Sequence, residues 1–117
     1  YIEYEAMGDG FTWDTENTEQ DKKTARDAFE IAKEKLMSDK YQMIIFDEIN
    51  YVLDYQFFPL EEFLETLRNK PKNVHVVCSG RNANEKLIEM ADLVTEMKLI
   101  KHPYDDQGIP AQKGIEF

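Results

Sequence analysis

The sequence predicts an α/β protein in which a parallel sheet is flanked by helices. Two short apolar runs, residues 41–46 and 74–78, are typical of buried parallel strands, because helices cover both faces of such strands. Segments with apolar residues at helical spacing separate the predicted strands, and the order βαβαβαβ favours right-handed crossovers within one sheet. The 117 residues suffice for one small domain with a core, and not for two.

The first half of the chain supplies two predicted strands and one helix. Residues 1–7 are β-prone and predict a strand, which Gly8 and Gly10 interrupt before a loop that carries Phe11 and Trp13. A helix is expected to begin near Asn17 or Thr18 and to end at Asp39-Lys40, before the strand at residues 41–46. Its buried stripe is formed by Ala25, Ala28, Phe29, Ala32 and Leu36.

The second half alternates in the same way. Residues 50–58 predict a short helix and a loop, and Pro59 suits the first turn of a helix that Pro71 stops. The inner face of that helix is Leu60, Phe63, Leu64 and Leu67. After the strand at residues 74–78, Asn82 or Asn84 is expected to cap a short helix that carries Leu87, Ile88 and Met90. Residues 93–100 alternate as an edge strand does, and residues 101–117 predict an extended tail behind a partial domain of residues 1–100.

Composition narrows the function classes. The formal net charge is −10, which disfavours non-specific binding to nucleic acid or to an anionic membrane surface. No apolar run approaches the roughly 18 residues of a membrane span. Cys78 is the only cysteine, so it has no disulfide partner within the chain, and we interpret it as a small core residue in a reduced, cytoplasmic setting.

Two acids, Asp47 and Glu48, directly follow the first apolar run. Carboxylates at the carboxyl end of a parallel strand lie where open α/β sheets bind their ligands, and such a pair holds Mg²⁺ at nucleotide phosphates. The alternative is a solvated pair of acids at a strand end. The Gly-rich phosphate loop that usually accompanies such a strand, G-x-x-x-x-G-K-[ST], is absent from these 117 residues.

Other candidates carry weaker signals. Phe11 and Trp13 either form an apolar platform for a large flat ligand or cap the core. Arg81 either contacts a phosphate or pairs with a surface acid. The remaining candidates are Asn50 and Tyr51, which orient a ligand or cap a helix, Lys101 and His102, which provide two cations, and His75, which is expected to be packed.

Taken together, the motifs resemble one family, the P-loop type of cob(I)alamin adenosyltransferase. The matching segments are MGDGFTWDT at 7–15, IFDEINY at 45–51, SGR at 79–81, ADLVTEM at 91–97, KHP at 101–103 and QKGIEF at 112–117. The resemblance implies a RecA-like P-loop fold and a homodimer. It also implies transfer of the 5′-deoxyadenosyl group of ATP to the reduced cobalt of a corrinoid, with Mg²⁺ present and triphosphate released. A cobalt reductant such as a flavoprotein would be a further partner.

The resemblance assigns roles to residues of this chain. Glu48 and Asp47 would serve the Mg²⁺–ATP site, with Glu48 as the direct ligand, and no side chain would act as a nucleophile or general base. Phe11 and Trp13 would pack against the corrin, where they would displace the axial base of cobalt and ease its reduction. Asn50, Tyr51 and Arg81 would line the crevice, with Lys101 and His102 near it.

The missing phosphate loop is the main departure from the family. We expect these residues to be the carboxy-terminal portion of such an enzyme, incomplete at the amino terminus and inactive alone, since that loop cradles the phosphates. Two alternatives remain open. One is a non-catalytic module that retains corrinoid affinity, and the other is a different P-loop ATPase in which Glu48 activates water.

Overall fold

A parallel pair of strands lies at the centre of the fold. In the computed structural model, which describes residues 2–6 and 18–115, β1 is Met43–Phe46 and β2 is His75–Cys78. The strands pair in parallel with Met43 opposite His75 and Phe46 opposite Cys78. The parallel arrangement confirms the prediction from the two apolar runs. Within the described residues this sheet has two strands, fewer than the four that the sequence predicts.

Helices account for most of the remaining regular structure. They are α1 (Thr18–Met37), α2 (Ile49–Asp54), α3 (Leu60–Arg68), α4 (Glu85–Met90) and α5 (Pro103–Gln107). The first four confirm the predicted helices. Pro59 precedes α3 as its N-cap, and Asn84 caps α4 by accepting a hydrogen bond from the backbone N–H of Lys86 at 3.0 Å. None of the described helices is long and apolar enough to cross a bilayer.

The core lies on one face of the sheet, between the strands and the helices. Its buried members are Phe29, Phe46, Ile49, Leu53, Phe58, Phe63, Leu64 and Leu87. Phe63 is fully buried at its centre, with ring centroids 5.3 Å from Phe46, 5.9 Å from Phe29 and 6.4 Å from Phe58. The predicted inner face of α3 is confirmed, because Phe63 and Leu64 are buried and the other two leucines are packed against the core.

The opposite face of the sheet is open. Met43 and Ile45 on β1 are 53% and 62% exposed, and Val77 on β2 is 42% exposed. The prediction that both strands are buried on both faces is therefore wrong for the described residues, because their helices cover one face only. The predicted packing of His75 is also wrong. This residue pairs with Met43 on the open face and is exposed.

Two further predicted strands are absent from the described residues. Residues 2–6 and 93–100 have no strand structure and are exposed throughout. A strand requires a neighbouring strand for its backbone hydrogen bonds, and in the described residues β1 and β2 pair only with each other. Residues 2–6 are instead held against α1 by ion pairs from Lys35 to Glu3 at 3.2 Å and to Glu5 at 3.0 Å.

The tail is not extended throughout, which corrects the prediction for residues 101–117. Pro103 opens the short helix α5, and Gly108 ends it in a left-handed conformation. The ring nitrogen Nδ1 of His102 accepts hydrogen bonds from the backbone N–H groups of Tyr104 and Asp105 at 3.2 and 3.4 Å. The division at residue 100 into a domain and a tail stays a prediction.

Candidate functional site

The candidate site is formed where the two parallel strands end. Asp47 and Glu48 follow β1, and Ser79 and Gly80 follow β2. Because the strands run in the same direction, both turns lie at the same edge of the sheet. The SGR segment at 79–81 begins beside Asp47, since Ser79 forms hydrogen bonds with both acids.

The Ser79 hydroxyl joins the two turns. It donates a hydrogen bond to Oδ1 of Asp47 at 2.6 Å and accepts one from the backbone N–H of Glu48 at 2.9 Å. The backbone N–H of Ser79 also donates to the carbonyl of Phe46 at 3.1 Å. One carboxylate of the acidic pair is thus engaged within the protein, while the backbone of the next residue is fixed.

Glu48 combines a strained backbone with an unengaged side chain. Its φ of 55° and ψ of 22° are left-handed, a conformation that non-glycine residues adopt at a cost. Its side chain is exposed, and among residues 2–6 and 18–115 no hydrogen bond or ion pair involves its carboxylate. Strain of this kind is often stored at functional positions. Glu48 therefore presents an anionic group outward from a fixed turn.

Replacing Glu48 with glycine is expected to raise the free energy of unfolding by about 0.5–1 kcal/mol. The left-handed conformation costs an L-residue about 1–2 kcal/mol, and the greater freedom of glycine in the unfolded chain offsets about 0.4–1 kcal/mol. Urea unfolding measures the change. Gln56→Gly is a matched control, because Gln56 has a φ of 54° and lies outside the site. If the free energy of unfolding rises in Gln56→Gly but falls in Glu48→Gly, the side chain of Glu48 itself stabilises the fold.

Gly80 allows the two turns to approach closely. Its φ is +118°, and a Cβ placed on it would lie 3.1 Å from Cβ of Asn50 and 3.3 Å from Oε2 of Glu48. The Glu48 carboxylate therefore lies directly beside the Gly80 backbone. Any larger residue at this position would displace Asn50 or Glu48.

Asn50 is buried beneath this turn and does not line an open crevice. It is 6% exposed, its Nδ2 donates to the carbonyl of Gly80 at 3.2 Å, and its backbone N–H donates to the carbonyl of Ser79 at 3.3 Å. Its Oδ1 is buried without a hydrogen-bond partner in the described part of the chain. A buried acceptor left unpaired is costly, so this atom calls for an explanation.

The other predicted site residues differ in their surroundings and in how near they lie to the strand ends. Arg81 adjoins Gly80 and is exposed, and no ion pair of its guanidinium occurs in the described ranges. The ring of Tyr51 lies against that of Tyr55 at a tilt of 30°, with centroids 4.3 Å apart, and loss of surrounding water raises the pKa of Tyr51. The hydrogen bonds that the structure gives for the His102 ring are to α5. Phe11 and Trp13 lie outside the described residues.

Cys78 ends β2 and packs against the core, which agrees with its interpretation as a core residue. Burial raises the pKa of its thiol from 9.0 to about 11. We expect alkylation by iodoacetamide at pH 8 to be about 100-fold slower in the folded chain than in urea, because only the thiolate reacts. The neutral thiol stabilises the fold below pH 9, and this contribution is lost as the pH rises toward 11. Equal alkylation rates in both states would contradict the assignment.

The donor set at the strand ends suits a hard cation. Asp47, Glu48 and Ser79 offer only oxygen atoms, which are the ligands that Mg²⁺ prefers. The described residues contain no group of three or more His, Cys, Asp or Glu side chains that could enclose a metal ion. An open site with one or two carboxylates fits Mg²⁺, which keeps several water molecules and binds substrate phosphates.

Comparison with known proteins shows the family of the chain. Residues 1–117 match the family model described as ATP:corrinoid adenosyltransferase BtuR/CobO/CobP. The chain belongs to this family. It is 47% identical over 116 residues to a corrinoid adenosyltransferase of Sinorhizobium sp, and the match covers 98% of the chain and 54% of that protein.

Two further relatives are similar over the same span. The corrinoid adenosyltransferase of Pseudomonas aeruginosa is 39% identical over 116 residues, which are 99% of the chain and 57% of that protein. That of Escherichia coli K12 is 36% identical, with 99% and 59% covered. The chain thus spans little more than half the length of these family members, which bear the name of a transferase.

Sequence reasoning missed two residues of the site. The prediction selects Arg81 from the SGR segment and assigns no role to Ser79 or Gly80. The available signal was the position of a hydroxyl and a glycine directly after the second strand, at the edge where Asp47 ends the first. The hydrogen bonds of Ser79 and the space left by Gly80 depend on how the two turns meet, which the sequence pattern does not specify.

Proposed function

We propose that the protein that contains this chain transfers the 5′-deoxyadenosyl group of ATP to the reduced cobalt of a corrinoid. The observation that carries the proposal is the exposed Glu48 carboxylate at the carboxyl end of β1, on a backbone that the Ser79 hydroxyl fixes. Family membership supplies the reaction class. An acidic strand end in a family of ATP-dependent transferases is the expected place for Mg²⁺–ATP.

The proposed reaction requires no activated nucleophile from the protein. The reduced cobalt is itself strongly nucleophilic, so a cobalt–carbon bond forms at C5′ while the C5′–oxygen bond breaks. The electron pair of that bond leaves with triphosphate, and no proton must be removed. The protein therefore needs to align C5′ with cobalt and to neutralise the leaving group. The packed, weakly acidic Cys78 thiol agrees with this requirement.

Glu48 would bind Mg²⁺ directly, because its carboxylate is unengaged in the described structure, whereas Asp47 already accepts a hydrogen bond from Ser79. The cation would neutralise charge on the phosphate oxygens. Arg81, exposed beside Gly80, would contact the triphosphate. Tyr51 would border the nucleotide. Lys101 and His102 are weaker candidates, since Nδ1 of His102 is occupied as the cap of α5.

Phe11 and Trp13 would pack against the corrin. Their apolar surface would favour loss of the axial base from cobalt and so ease its reduction. Because Trp13 is the only tryptophan in the chain, its fluorescence reports on this contact. Corrinoid added to the protein is expected to quench that fluorescence, and Phe11→Ala is expected to weaken the binding.

The complete protein is proposed to have a RecA-like fold and to form a homodimer in the cytoplasm, with a flavoprotein as one class of cobalt reductant. The parallel sheet supports such a fold, and its open face has room for a second layer. The relatives are longer than the matched span, and their additional sequence would supply the phosphate loop. We expect the 117-residue chain alone to be inactive.

The test is an assay of the intact protein with chemically reduced corrinoid, ATP and Mg²⁺. The expected products are an adenosylated corrinoid, detected by its visible absorption, and triphosphate, separated from ADP by ion exchange. Formation of ADP without adenosylated corrinoid would indicate an ATPase instead. Quenching of Trp13 without any turnover would indicate a binding module. Turnover by the 117 residues alone would refute the expected inactivity.

A further inference from the structure

Asn50 carries a hydrogen-bond acceptor that the fold leaves unused. The residue is 6% exposed, and its Oδ1 has no partner in the part of the chain that the structure describes. An apolar residue of similar shape would avoid the cost of burying such an atom. An unpaired Oδ1 close to the carboxylates of Asp47 and Glu48 indicates that a bound ligand supplies its hydrogen-bond donor.

The other end of the same side chain is engaged. Nδ2 donates to the carbonyl of Gly80 at 3.2 Å, and the backbone N–H at the start of α2 donates to the carbonyl of Ser79. Asn50 therefore ties the first turn of α2 to the turn after β2. Glu48 contacts the same two residues that Asn50 binds. Its N–H donates a hydrogen bond to the Ser79 hydroxyl, and its Oε2 lies beside Gly80.

This arrangement links Asn50 to the backbone of Glu48 through Ser79. The left-handed backbone of Glu48 is unfavourable by itself and persists because its surroundings fix it. One of those constraints is the hydrogen bond from the Glu48 N–H to Ser79, and Asn50 binds the backbone carbonyls of both Ser79 and Gly80. Loss of the amide would remove the side-chain hydrogen bond to the Gly80 carbonyl and allow the turn after β2, and with it Glu48, to shift.

We propose that Asn50 is a positioning residue for divalent cation binding. Its Nδ2 fixes the turn that orients Glu48, and its Oδ1 accepts a hydrogen bond from a donor on the bound ligand. Water molecules on a hydrated cation are donors of the required kind. This inference rests on the proposed function, because it takes Glu48 to be a cation ligand.

The test measures binding of Mn²⁺ in place of Mg²⁺ by the intact protein, from the decrease of the free Mn²⁺ signal in electron paramagnetic resonance. Asn50→Leu keeps the branched shape of the side chain but removes the hydrogen bond from Nδ2 to Gly80 and the acceptor Oδ1, and it is expected to weaken Mn²⁺ binding about tenfold or more. Asn50→Ser leaves a hydroxyl too short to reach Gly80 and is expected to act in the same direction. This second variant keeps the test valid if the leucine variant fails to fold.

Gly80→Ala tests the contact between Asn50 and the turn after β2 by changing the turn instead of Asn50. The new Cβ would contact Asn50 and Glu48, so Mn²⁺ binding is expected to weaken although Asn50 is intact. Gly108→Ala is its control, because Gly108 also has a positive φ and has no neighbour within 4 Å of an added Cβ. Asn73→Leu is the control for Asn50→Leu, since it removes an exposed Asn side-chain hydrogen bond, to Asp39.

The outcomes separate this inference from the proposed function. Failure of the parent protein to bind Mn²⁺ would overturn the cation site itself. Normal binding by the parent and by folded Asn50→Leu and Asn50→Ser variants would overturn only the role of Asn50. Circular dichroism at the assay temperature establishes that each variant is folded. Equal weakening in the Asn73→Leu control would likewise contradict a specific role for Asn50.

Discussion

Glu48→Gln is expected to lower kcat/KM for Mg²⁺–ATP by about 100-fold or more in the intact protein. The substitution keeps the length of the side chain and the backbone hydrogen bond to Ser79, and it removes the negative charge. Glutamine binds Mg²⁺ poorly compared with a carboxylate, so the leaving triphosphate would lose part of its neutralisation. Formation of adenosylated corrinoid at several Mg²⁺ concentrations measures the effect.

Asp47→Asn is expected to have a smaller effect than Glu48→Gln. Asparagine retains an oxygen that can accept the hydrogen bond from Ser79, and the Asp47 carboxylate is already engaged in that bond. Glu65→Gln is a control, because Glu65 is an exposed carboxylate on α3, away from the strand ends. Activity of Glu48→Gln within about threefold of the parent would remove Glu48 as a cation ligand, since a lost ligand costs far more. A larger loss in Asp47→Asn would reverse the assignment.

Local pattern was sufficient to predict helices α1 to α4 and the parallel pair of strands, but not α5. The stripe from Ala25 to Leu36 and the inner face of α3 recur at helical spacing, and Asn84 caps α4 as expected. The predictions failed where structure depends on a partner. Residues 93–100 alternate correctly for a strand, but in the described chain they have no neighbour to pair with and remain exposed.

The sequence predicted which edge of the sheet carries the site, but not the contacts between the residues of the site. Acids after one parallel strand and a serine after the next must lie near each other, and they do. The left-handed backbone of Glu48 and the burial of Asn50 depend on how α2 leaves the strand and meets the Gly80 turn. These features arise from packing between segments about 30 residues apart, which a local pattern cannot specify.

Phe63→Ala is expected to lower the free energy of unfolding by about 3–5 kcal/mol, the usual cost of truncating a buried aromatic residue. Phe63 is fully buried and contacts the rings of Phe29, Phe46 and Phe58, so its removal leaves a cavity at the centre of the core. Small domains have a total stability of about 5–15 kcal/mol, so the loss is a large share. Urea unfolding followed by circular dichroism measures it.

Ile88→Ala is the control, because Ile88 is 42% exposed on α4 and its truncation is expected to cost less than about 1 kcal/mol. Equal losses in both variants would contradict a core centred on Phe63. Phe63→Ala is also expected to affect the candidate site. The ring of Phe63 packs edge-on against that of Phe46, and Asp47 and Glu48 follow Phe46 directly in the chain. We therefore expect Phe63→Ala to weaken Mn²⁺ binding under conditions in which the protein is still folded, whereas Ile88→Ala leaves it unchanged.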